Sequence, residues 1–108
     1  MARQALIAKA ENITGHATSF SGTPKVTIKR AKDNEPVPGL LVKFVTGSRK
    51  LEGCSASTDM DGVAECDSGT RFDPAFVMDA LTSGYDAVFD GNDEYSPVKA
   101  HGSVTPGF

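Results

Sequence analysis

Two cysteines, Cys54 and Cys66, are the one thiol pair in the chain able to bond to each other or to share a metal ion. Between them runs Asp59-Met60-Asp61-Gly62. Asp-Gly is a strong tight-turn signal, because glycine takes positive φ without steric cost and aspartate tolerates it. The spacing therefore predicts a β-hairpin turning near Met60, with Ala56 facing Ala64 and Cys54 facing Cys66 on neighbouring strands. Sulfurs on the same side of such a pair suit a disulfide, which closes a loop worth roughly 3 kcal/mol. The competing state is a pair of buried thiols acting as small hydrophobes. Zinc would need two further ligands at a matching spacing, and the sequence offers none. An oxidised pair implies an oxidising compartment.

Other polar groups point less sharply. Asp59-x-Asp61-Gly62 and Asp90-Gly91-Asn92-Asp93-Glu94 each gather oxygens that could attract calcium, but neither has the full ligand spacing with a closing glutamate, so both read as solvated turns. His16 and His101 stand apart from any cysteine or serine motif and read as surface histidines. No nucleophile elbow, zinc-protease helix motif, phosphate loop or dinucleotide fingerprint occurs, and the carboxylates fall on turns and outward faces. The expectation is therefore no catalytic residue, no metal site and no cofactor. Asn12-Ile13-Thr14 is a glycosylation triplet of a kind that chance also produces. Tyr85, Tyr95 and the terminal Phe108 are the large side chains best suited to anchor a partner, with core or loop packing as the alternative use of the two tyrosines.

The elements that must position these groups follow from short-range periodicity. Residues 25–31 alternate, with Val26 and Ile28 on one face and Lys25, Thr27 and Lys29 on the other, as a half-buried strand requires. Residues 40–46 repeat the pattern with Leu40, Val42 and Phe44, and residues 85–89 with Tyr85, Ala87 and Phe89. Pro36 and Pro38 forbid ladder donation between the first two of these strands. Residues 73–81 fit two templates. Asp73-Pro74 could cap and start a short helix ended by Gly84, yet Phe76, Met78 and Ala80 also alternate, and the β surroundings favour a strand. Residues 98–104 make a last strand and residues 5–10 a first one. Seven or eight short strands, separated by turn residues, predict an all-β sandwich with one core, since 108 residues leave no room for a second.

A formal net charge of −3, with lysine and arginine scattered among carboxylates, provides no basic surface to displace phosphate counterions, so nucleic acid is an unsuitable partner. No apolar run approaches the roughly 20 residues that cross a bilayer, and the first eight residues are too short and too polar for a signal peptide.

Three segments together resemble the bacterial immunoglobulin-like repeats of adhesins, invasin-type proteins and phage virion proteins. They are Glu35-Pro36-Val37-Pro38-Gly39 leading into Val42-x-Phe44, then Cys54-x-Ala56-x-Thr58-Asp59-x-x-Gly62-x-Ala64-x-Cys66, and Phe89-x-Gly91-x-x-x-Tyr95-Ser96-Pro97. The resemblance implies an immunoglobulin-like Greek-key β-sandwich over residues 25–108, with residues 1–24 as an N-terminal strand or anchoring arm. It implies a role in spacing or presenting a binding surface, and it brings no catalytic residues. Residues 67–85 are longer than the family pattern, so either Phe76 or Tyr85 fills its late aromatic position.

A domain of extracellular type that starts with methionine and has no export address is expected to leave its cell by lysis, within a virion. That points to a phage accessory or decoration protein anchored through residues 2–14. The competing expectation is one repeat of a bacterial cell-surface adhesin. A third is a carbohydrate-binding module that stacks sugars on Tyr85 and Tyr95. The partners expected are proteins of a virion or cell surface, or surface glycans in the third case, with no membrane insertion.

Overall fold

The computed structural model describes residues 3–16, 19–21, 24–66 and 73–106. Ten strands and one helix follow in the order β1 (Leu6–Ala10), β2 (Ile13–His16), β3 (Ser19–Ser21), β4 (Lys25–Arg30), β5 (Leu41–Thr46), β6 (Glu52–Ser57), β7 (Val63–Glu65), α1 (Pro74–Ser83), β8 (Tyr85–Phe89), β9 (Val98–Gly102) and β10 (Val104–Pro106). The chain is thus mostly β, as its periodicity requires. The strands form three sheets, in the orders β1-β4-β7, β6-β5-β8-β9 and β10-β2-β3. All pairs are antiparallel except β10 with β2.

The alternating strands bury the faces expected of them. Val26 and Ile28 from β4, Leu40, Val42 and Phe44 at and along β5, and Tyr85, Ala87 and Phe89 from β8 are at most 5% exposed and share one core with Ala64 of β7. Period-two side chains from facing sheets meet here because each strand offers one apolar side to water-free packing. Residues 6–10 are paired along their length with β4, and β2 lies between β10 and β3, so this part of the N-terminal segment is built into the sheets.

Two sequence expectations are corrected. Residues 74–83 are a helix, not the favoured strand. Asp73 caps it, accepting from Ala75 N at 2.8 Å, with proline in the first turn and Gly84 beyond its end at φ 75°. The burial decides between the two periods: Phe76, Val77 and Ala80 are buried, whereas Met78, inward in the strand reading, is 61% exposed. Phe76 therefore packs from the helix, and Tyr85 opens the following strand.

The second correction concerns Cys54 to Cys66. β6 and β7 are not a hairpin. β6 pairs with β5 and β7 with β4, so the segment between them crosses from one sheet to the other. The tight turn itself is present. Asp59 Oδ1 accepts from Asp61 N at 2.9 Å and from Val63 N at 3.1 Å, and Gly62 has φ 77°. A Cβ at Gly62 would strike the Ile28 carbonyl, because Gly62 O accepts from Ile28 N at 2.8 Å and brings the two backbones together. The crossing is fixed one residue earlier. Buried Thr58 donates its hydroxyl to Val37 O at 2.7 Å and accepts from Leu40 N at 2.9 Å, tying the end of β6 to the chain that enters β5.

Candidate functional site

Cys54 and Cys66 form a disulfide with their Cα atoms 6.0 Å apart. It joins β6, an edge of the four-stranded sheet, to the residue after β7, an edge of the three-stranded sheet. The expected bond is therefore present in a different setting, as a staple across the open side of two facing sheets. No ladder of backbone hydrogen bonds joins β6 to β7 beside it.

The aromatic candidates are placed by burial. Tyr85 is fully buried and Tyr95 is 8% exposed, so neither ring offers a face to a protein or a sugar, and their selection as partner anchors is corrected to core packing. Phe108 lies outside the described residues. The Tyr85 hydroxyl instead links the sheets: it donates to the Glu11 carbonyl and accepts from Lys25 N at 3.3 Å, beyond the end of β1 and at the start of β4. Burial pushes the Tyr85 phenol up, and the nearby Glu11 charge adds to this, outweighing the backbone hydrogen bonds that favour the phenolate. The ring reaches this position over Gly102, where a Cβ would come within 2.5 Å of the ring carbons.

In the two acidic turns Asp59 and Asn92 spend side-chain oxygens on the backbone, and Asp90 pairs with Lys43 at 3.6 Å. Asp59 holds its own turn, as above. Asn92 Oδ1 accepts from Glu94 N at 2.9 Å and from Tyr95 N at 2.7 Å. Both are the Asx geometry that makes Asp and Asn frequent in turns.

The densest polar cluster was missed by sequence reasoning. Asp86 sits on the outward side of β8 yet is 4% exposed, because Lys50 and His101 cover it. Lys50 Nζ lies 2.9 Å from Oδ2, and His101 Nδ1 lies 2.7 Å from Oδ1. Asp86 and His101 are direct cross-strand partners in the β8–β9 pair. Burial works to raise the Asp86 pKa, but the hydrogen bonds and charges of Lys50 and His101 overcome it and hold the carboxyl below its usual range. His101 is half exposed, and its ring lies over Gly84, where a Cβ would meet Nε2 at 2.7 Å. The signal available in the sequence was the out-facing phase of Asp86 between Tyr85 and Ala87. The register that sets it opposite His101 was not legible, because the intervening loop has no fixed turn type.

The same cluster immobilises the turn between β5 and β6. Ser48 Oγ donates to Asp79 Oδ1 at 2.8 Å, Arg49 N to Asp79 Oδ2 at 3.1 Å, and Ser48 N to Ser83 Oγ at 3.1 Å. Lys50, at φ 56°, also reaches the Gly47 carbonyl at 2.9 Å. Hydrogen bonding led by Thr46 and continued by Ser48 and Arg49 keeps the Asp79 carboxylate below its ordinary range. The arrangement orients an imidazole and locks a basic turn against helix α1. Among the described residues the partner of the His101 ring is Asp86, which fixes the ring across the β8–β9 pair.

No family model, curated protein or solved structure matches the chain. Among the described residues no helix is long and apolar enough to cross a membrane.

Proposed function

We propose that the chain is an immunoglobulin-like Greek-key module with a non-catalytic, interaction-bearing role, carried on a phage virion as an accessory or decoration protein. The observation that carries this reading is the strand order. The orders β1-β4-β7 and β6-β5-β8-β9, whose inward residues share one core, support it, because they fit the A-B-E and C-F-G sheets expected of an immunoglobulin-like sandwich with β6 beside β5. The disulfide across the open side supports display in an oxidising medium, since such bonds persist outside reducing cytosol. The polar clusters support it too: the carboxylates of Asp59, Asp79 and Asp86 are spent on turns and sheet faces.

Proteomic mass spectrometry of purified particles tests the reading, with the chain expected at stoichiometric abundance. Its absence from particles whose host expresses the gene would end it. A second reading, one repeat of a bacterial cell-surface adhesin, draws on the elongated body of 47 × 24 × 18 Å, which suits a spacer. Protease shaving of intact cells that releases peptides of this chain would select that reading instead.

A further inference from the structure

We infer that β6 is a self-association edge, pairing antiparallel with β6 of a second copy about a twofold axis at Ala56. This goes beyond the function proposed above and does not depend on where the protein is displayed.

Among the described residues β6 has one hydrogen-bonded neighbour strand, β5. Thr58 N donates to Leu40 O at 2.9 Å, which sets the phase of the strand. With Leu41 opposite Ser57 and Val42 opposite Ala56, residues 54 and 56 turn their backbone groups toward β5 and residues 55 and 57 turn theirs away. Ser55 and Ser57 are exposed, and inward-pointing Cys54 and Ala56 are only half-buried, so this side of the sheet is open.

The other long edge strands, β1 and β9, run close to each other at the opposite side of the body, and the segments leading into them are bonded together, Gln4 N to Glu94 O at 2.8 Å and Ser96 N to Gln4 O at 3.0 Å. The remaining edge strands, β3, β7 and β10, have three residues each. Natural sheets guard an exposed edge with lysine, proline, an inward charge or a bulge. β6 has none of the first three, and its one irregularity, opposite Phe44 and Val45, lies at its start and leaves residues 54–58 regular. The disulfide holds this edge in place, so little order remains to be imposed on binding.

Charge selects a second copy, and its direction. The basic turn with Arg49 and Lys50 precedes β6, and the acidic turn with Asp59 and Asp61 follows it. Antiparallel pairing sets each basic turn beside the acidic turn of the other copy, twice by symmetry, whereas parallel pairing would set like beside like. Glu52 alone runs against this pattern. About the axis Ala56 meets Ala56, and Ser55 meets Ser57 of the second copy, small side chains that let the backbones close. Met60, 80% exposed in the single chain, falls at the same contact.

Sedimentation equilibrium from about 10 μM to about 1 mM, the range of weak small interfaces, tests this. The wild type is expected to dimerise reversibly. Ser55→Pro, which removes an outward N–H at an edge where proline is tolerated, is expected to stay monomeric with an unchanged circular-dichroism spectrum. Arg49→Glu is expected to weaken the dimer about tenfold, and Arg49→Glu with Asp61→Arg to restore it, a readout that does not depend on the proline variant folding. A wild type that remains monomeric throughout, a folded Ser55→Pro that dimerises normally, or edge amides protected only by a different protein would each overturn the inference.

Discussion

Removing the staple between the sheets should cost a calculable amount. Cys54 and Cys66 are 12 residues apart, and closing a loop of that size removes about 9.5 cal/mol/K of chain entropy from the unfolded state, or about 3 kcal/mol at 25 °C. Unfolding entropy of about 2.1 cal/mol/K per residue over 108 residues gives about 0.23 kcal/mol/K, so Cys54→Ala/Cys66→Ala should melt about 13 °C below the oxidised wild type. Reduced wild type should fall by a similar amount. Because β6 and β7 share no ladder, the loss should also appear locally, with amide exchange accelerating in residues 52–57 and 63–66 before the global transition. Thermal melts with and without reductant, together with hydrogen exchange, make the measurement. A double variant melting within about 3 °C of wild type would refute the loop-entropy argument. Exchange that rises evenly over the chain would refute the inter-sheet role.

Tyr85→Phe removes the hydroxyl that joins the sheets and leaves part-buried backbone partners without it, so urea unfolding should show a loss of about 1 kcal/mol. Since the folded Tyr85 pKa is raised, its contribution is full below the unfolded value of about 10 and is lost as pH rises through the folded value. Melts at rising pH should therefore show wild type and Tyr85→Phe converging in strong alkali. Gly102→Ala would push a methyl into the Tyr85 ring and should cost about 1–3 kcal/mol by the same unfolding assay. Asp86→Asn should destabilise at neutral pH. The Asp86 pKa is depressed on folding, so the wild-type advantage is present above about 4 and disappears as pH falls through the folded value, which paired acid melts will show.

The periodic strands were legible because side-chain alternation is local: Val26 and Ile28, Val42 and Phe44, and Ala87 and Phe89 announce their buried faces without reference to any partner. The turn at residues 59–62 was legible for the same reason, since the Asp59 side chain and Gly62 act within four residues. The nearness of Cys54 and Cys66 followed from that turn.

What lay across from each strand was decided elsewhere. A turn fixes where the chain reverses, but β7 pairs with β4 because Ala64 meets Val26 in a ladder set by segments almost forty residues apart, and that choice made an arch of an expected hairpin. Residues 74–83 carry both periods, and only the core, which had room for Phe76, Val77 and Ala80 together, selected the helix. The Asp86–His101 pair, the burial of Tyr85 and the open edge of β6 likewise depend on register and stacking. Sequence alone settled which faces of β4 and β5 turn from water; tertiary structure settled what each face meets, because partner choice is a competition among distant contacts that no local pattern encodes.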